Sequence, residues 1–161
     1  PRRITLSTVG IHPQLERFLD AGTANLAVSL HTPFPAERRQ IMPVENANPI
    51  EETVRLIRSR REDRQRRISF EYTMFADVND TPRHVDGIAK LLNGLSVRIN
   101  LIPFHQIDGS TLRPTSEEGI AQFAEQLRAK GFRTSVRRSR GQDINAACGL
   151  LWTRHVEAAV G

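Results

Sequence analysis

The chain has 161 residues, 39% of them hydrophobic, with a formal net charge of +5 and a pI of about 10.5. That size suits one domain with its own core, and no apolar run approaches the ~18 residues a membrane span needs, nor does the start "PRRITLSTVG" carry the apolar stretch of a secretion signal. A single cysteine excludes an internal disulfide and hence a stapled secreted scaffold, so a reducing cytoplasm is the expected location. The first residue is Pro1 rather than Met, which fits an engineered start, a processed product or a piece of something longer alike.

The first β-rich stretch, "RITLSTV" (3–9), predicts a strand. Leu15, Phe18 and Leu19 recur at helical spacing before Gly22, which suits a C-terminal cap. A second strand follows at "LAVSLHT" (26–32), then a short helix from Pro35 that Pro43 ends. Asn48 is expected to cap the next helix, with Pro49 in its first position and Ile50, Val54 and Ile57 on one face. The arginine-dense run "RSRREDRQRR" (58–67) suits a solvated helix end or an RNA contact, and its two acids leave both readings open.

"ISFEYTMF" (68–75) predicts the third strand. Thr81 and Pro82 open a helix carrying Val85, Ile88 and Leu92 to a stop at Gly94. "VRINLIPF" (97–104) is the fourth strand, Thr115 or Ser116 opens a helix carrying Ile120, Phe123 and Leu127 to Gly131, and "FRTSVRR" (132–138) is the fifth strand. Strands that alternate with helices imply an α/β fold with parallel pairing and right-handed crossovers. A closed eight-unit barrel takes ~250 residues, so 161 residues hold about five units and do not close one. The expected architecture is an open sheet of about five parallel strands, or part of a barrel whose free edge invites a missing segment or a second copy.

Strands covered on both faces read as nearly unbroken apolar runs, so the polar exceptions are informative. Ser7, Ser29, His31, Glu71, Thr73, Arg98 and Asn100 interrupt these strands, mostly in their later halves, where α/β folds bind ligands. Taken singly, each suits the satisfaction of a neighbouring group. Taken together, they suit a rim for a ligand with ribose, carboxylate and base edges. Glu71 could serve as a general acid or base, but no second acid of fixed geometry accompanies it, so a structural role, pairing with an arginine such as Arg98, is expected. The five histidines, at 12, 31, 84, 105 and 155, are scattered, no cysteine pair exists for a metal, and no GxGxxG, Walker or GxSxG element is present. Cys148, in "GQDINAACGLL", is either a small apolar filler or a functional sulfur beside the basic run "RRSRG" (137–141).

The segments "TLSTVG", "AVSLHTPFPAERRQIMPV", "SFEYTMFADVND", "INLIPFH" and "RRSRGQDINAACGLL", in this order, resemble the C-terminal portion of the radical-SAM adenine-C2 methyltransferases of the RlmN/Cfr type, more the RlmN branch than the Cfr branch. The likeness runs over essentially the whole chain. It implies that residues 1–161 are the C-terminal part of a radical-SAM (β/α)6 barrel domain, open rather than closed. It also implies S-adenosylmethionine and a 4Fe-4S cluster as cofactors, 23S rRNA and tRNA as substrates, and an electron donor such as flavodoxin. By motif, Ser7, Ser29, Leu30, His31 and Asn100 correspond to contacts with S-adenosylmethionine, and Cys148 to the cysteine that is S-methylated and hands its carbon to adenine.

The departure from the family is large: the chain has no CxxxCxxC loop, no second cysteine, and neither the glycine-rich strand nor the accessory domain that precede "LSTxG". The isolated chain is therefore expected to be inactive. Two other readings follow from the residues: a non-catalytic RNA- or nucleotide-binding module built on the same fold, and an enzyme using Cys148 as an ordinary nucleophile.

Overall fold

The computed structural model describes residues 4–60, 67–106 and 109–137. In chain order the elements are β1 (Thr5–Thr8), α1 (His12–Ala21), β2 (Asn25–Ser29), α2 (Pro35–Ile41), a 3-10 turn (Pro43–Asn46), α3 (Ile50–Ser59), β3 (Ile68–Met74), α4 (Pro82–Leu91), β4 (Arg98–Pro103), α5 (Glu117–Ala129) and β5 (Arg133–Val136). All four strand pairs are parallel, and the spatial order β1-β2-β3-β4-β5 repeats the chain order. Each crossover therefore moves one strand along in the same sense, which with right-handed connections puts the helices on one face. The expected open α/β architecture of five parallel strands is what the chain adopts.

Alternation along the strands separates the two faces. Leu26, Val28, Phe70, Tyr72, Met74, Ile99 and Leu101 are buried and form one cluster with Leu15, Ile50, Val54, Ile57, Val85, Ile88, Leu92, Ile120, Phe123 and Leu127 from the helices. Burying a side chain such as Phe70 contributes roughly 2–3 kcal/mol, so this layer carries most of the fold. The alternate positions, among them Ser29, Glu71, Thr73 and Asn100, are only half-buried. The sheet thus has one apolar face and one polar face.

Helix starts and stops largely follow the local residues. Gly22 ends α1 in the left-handed conformation, at φ 55°, which costs glycine no Cβ clash. Ser116 caps α5 by accepting the Gly119 N–H at 3.1 Å. The expectation for Asn48 needs correction. Pro49 precedes α3 in an extended conformation, α3 begins at Ile50, and no side chain of the N-cap residue closes it. Asn48 Oδ1 instead accepts the His12 N–H at 2.8 Å, and the Ile50 N–H is satisfied by Glu45 Oε2 at 3.0 Å. A tertiary acceptor has replaced the local one.

Candidate functional site on the polar face of the sheet

Register brings the polar residues together. Ser29 stands opposite Glu71, Glu71 opposite Asn100, and Asn100 opposite Ser135, so four strands contribute one straight row. Hydrogen bonds join most of it: Asn100 Nδ2 donates to Glu71 Oε1 at 2.7 Å, Ser69 Oγ donates to the same oxygen at 3.0 Å, and Ser135 Oγ donates to Asn100 Oδ1 at 2.6 Å. These contacts fix the Asn100 amide, with oxygen toward β5 and nitrogen toward β3. Arg98 faces Ser69 one row below, so Glu71 pairs with Asn100 and Ser69 rather than with the expected arginine.

His31 stands just past the end of β2 and has a left-handed backbone, φ 58°. The alternation that would align it with Ser29 therefore stops before it is reached. Its Nδ1 accepts the Thr73 N–H at 3.0 Å, which leaves the ring proton on Nε2. Burial, followed by the charge of Arg38, holds its pKa down from 6.5 to about 4, so the imidazole is neutral at physiological pH. Asn79, fully buried, bridges this corner: its Nδ2 donates to His31 O and to Thr73 O, both at 2.7 Å, and its Oδ1 accepts the Phe75 N–H at 2.7 Å. Tyr72 Oη closes the arrangement by donating to Asn79 O at 2.7 Å.

The other residues singled out in the sequence are placed as follows. Ser29 is the last residue of β2 and half-buried. Leu30 is fully buried, so its side chain belongs to the core and only its backbone is at the site. Ser7 is exposed on edge strand β1, opposite Ala27 and one row below Ser29. Cys148 lies outside the described residues. Sequence reasoning passed over Ser135, Asn79 and Arg38. Ser135 had a signal, since it sits in a strand on the same alternation as Asn100, whereas Asn79 and Arg38 lie in "VND" and "ERRQ", which read as turn and solvated helix.

Hydroxyls, a carboxamide with fixed orientation and a neutral imidazole donor offer what a ribose, a purine edge and an amino-acid carboxylate need, so this donor set fits S-adenosylmethionine. Among the described residues no three His, Cys, Asp or Glu side chains converge on a metal, and a chain with one cysteine does not supply three thiolates for a cluster. No helix among the described residues is long and apolar enough to cross a membrane.

The row meets the carboxyl end of β2 at Ser29 but crosses β3 and β4 near their middles rather than in the later halves expected. The open parallel sheet is that of a partial radical-SAM barrel, as solved structures bear out. A radical SAM methyltransferase from Sphaerobacter thermophilus superposes with a TM-score of 0.87 at 39% identity, over 92% of this chain and 44% of that one. A domain of pyruvate-formate lyase-activating enzyme from Bacteroides vulgatus superposes with a TM-score of 0.64 at 17% identity, over 83% of this chain and 80% of the other, and shows the fold alone.

Among curated proteins, a probable dual-specificity RNA methyltransferase RlmN from Porphyromonas gingivalis is 47% identical over 159 residues, 99% of this chain and 46% of the relative. The protein of that name from Thermus thermophilus is 44% identical over 152 residues, 94% of this chain and 43% of the relative. The chain is thus related along nearly its whole length to proteins named RlmN, and it spans about half of their length. No protein-family model matches it.

Proposed function

We propose that the chain is the C-terminal part of the barrel of a radical-SAM RNA methyltransferase that modifies carbon 2 of adenine in 23S rRNA and tRNA. The observation that carries this is 47% identity over 159 residues to a relative named as a dual-specificity RNA methyltransferase. The polar row supports it, because it offers a ready set of partners for S-adenosylmethionine.

In this reading Asn100, its amide held by Glu71 and Ser135, and Ser29 contact the nucleoside, while the His31 Nε2–H and the backbone of Leu30 contact the far end of the ligand, and Ser7 adds a hydroxyl from β1. The cluster, with ligands from elsewhere in the enzyme and an electron donor such as flavodoxin, supplies radical chemistry when bound. Cys148 acts as the carrier: its thiolate displaces S-adenosylhomocysteine from the methyl carbon of S-adenosylmethionine and becomes a methyl thioether, which places the carbon on a protein side chain. Its neighbours in sequence, Ala146, Ala147 and Gly149, are all small. The excess of arginine suits the phosphate backbone of RNA, and the protein belongs to the cytoplasm, where those RNAs are.

The full-length protein carrying this segment, reconstituted anaerobically and given methyl-labelled S-adenosylmethionine and an rRNA hairpin, should show label first on the peptide containing Cys148 and then on adenine carbon 2. Cys148→Ala should abolish RNA labelling. Undiminished labelling by that variant, or label on an adenine nitrogen, would overturn the carrier role. RNA binding with no methyl transfer would favour a binding module. The isolated chain given iron and sulfide should form no cluster and cleave no S-adenosylmethionine.

A further inference from the structure

Arg38, in the first turns of α2, is fully buried, although nothing in "PAERRQI" marks it off from the exposed Arg39 beside it. Its guanidinium spends its donors in two directions. On one side Nη1 meets Glu45 Oε2, forming an ion pair in which both side chains are almost wholly buried. On the other, Nε donates to Leu30 O at 3.1 Å and Nη2 donates to Ser29 O at 2.8 Å, with Val9 O at the outer limit of 3.5 Å.

These carbonyls lie where the ladder runs out. The register between β1 and β2 ends at Thr8 opposite Val28, so Ser29 O lies past the last paired position of β1, whereas Leu30 is turned toward β3, its N–H donating to Glu71 O at 2.9 Å and its carbonyl also accepting the Thr32 N–H at 2.8 Å. We propose that Arg38, braced by Glu45, is a positioning residue that holds the turn Ser29–Leu30–His31 in its ligand-binding conformation, by bringing guanidinium donors from α2 to the Ser29 and Leu30 carbonyls at the end of β2. The ligand part of this rests on the proposed function; the geometry of the turn does not.

Three features favour positioning over a plain core ion pair. Buried ion pairs are often replaceable by apolar residues because desolvation offsets their attraction. Here, however, the guanidinium also donates to two carbonyls, and the planar fork that reaches Ser29 O and Leu30 O together is a geometry lysine lacks. Next, His31 follows these carbonyls directly with φ 58°, a left-handed backbone that persists only where its surroundings over-determine it. Finally, Glu45 Oε2 also accepts the Ile50 N–H, so the brace is anchored to the start of α3, while Glu45 Oε1 has no partner among the described residues. The carboxylate is held for its contacts on one side.

The test compares wild type with Arg38→Lys and with the double variant Arg38→Met/Glu45→Gln, which leaves no buried charge and keeps an acceptor for Ile50. Two quantities are measured on the 161-residue chain: exchange of the Thr73 amide, which reports its bond to His31 Nδ1, and affinity for S-adenosylmethionine. In the double variant, with helix content and cooperative unfolding retained, Thr73 should exchange about tenfold faster and affinity should drop by about tenfold. Arg38→Lys should fall between. Unchanged Thr73 exchange, or faster exchange with unchanged affinity, would overturn the inference. Faster exchange in a chain whose wild type does not bind S-adenosylmethionine would support the clamp and count against the ligand reading instead.

Discussion

His31 combines three constraints: a left-handed backbone, an Nδ1 committed to the Thr73 N–H, and a pKa lowered by burial and then Arg38 that keeps a second proton off that same nitrogen. Its folded pKa, about 4, lies below the ordinary 6.5, so the folded state binds this proton less readily than the unfolded one. The stability this group contributes is full above pH 6.5 and is lost as pH falls toward 4, about 3 kcal/mol across that window. His31→Asn keeps a hydrogen-bond acceptor and tolerates the left-handed backbone without titrating. Urea unfolding at pH 7 and pH 4.5 should therefore show wild type losing more stability than His31→Asn. Equal losses would mean that the imidazole titrates normally in the fold. The sequence made His31 legible as a site residue through its place at the end of "AVSLH". It hid the conformation, because alternation in a strand says nothing about where the strand ends. Arg38 was hidden for the opposite reason: charge ordinarily means exposure, and only the fold shows three backbone carbonyls pointing at one buried guanidinium.

Among the described strands, β2, β3 and β4 have a neighbour on each side, whereas β1 and β5 are edges; at the β1 edge, Ile4, Leu6, Val9 and Ile11 are 39–60% exposed. An apolar edge with unpaired backbone groups is a template for another strand. In the isolated chain a second copy is the expected occupant. Sedimentation velocity over a range of concentrations should show self-association of wild type, reduced by Leu6→Lys at the edge. A chain that stays monomeric at all concentrations would show that β1 is shielded by other means. The existence and order of the elements were legible from periodicity and punctuation, since Gly22, Pro82 and Ser116 act locally. The start of α3 was not, because the group that satisfies Ile50 is Glu45, on a turn whose position depends on Arg38.

For the molecule as a whole, the division of the sheet into an apolar and a polar face was foreseeable, while the straightness of the polar row was not. Local residues do not fix register; it emerges when Phe70, Ile99 and Leu101 find the helix layer and carry Glu71 and Asn100 to the other side. The joined contacts Ser69–Glu71–Asn100–Ser135 then report on all three strands at once. One alanine inserted after Phe70 should prevent cooperative folding, since it turns the rest of β3 over. One glycine inserted after Gly109, in a loop where no atom crowds the backbone, should leave the melting transition within a few degrees of wild type. Equal tolerance of both insertions, read by circular dichroism melts, would mean that the row is not tied to the core.

That row has a consequence for how such a chain can vary over descent. A slipped strand would present Phe70 or Ile99 to the ligand side and bury a carboxylate under the helices, so a misaligned sheet fails in its core and at its site together. Substitutions can accumulate on either face separately, but strand lengths cannot drift by single residues without losing both. Gains and losses of residues are confined to the connections, and the spacing of polar residues within strands becomes the most durable written record of what this surface binds.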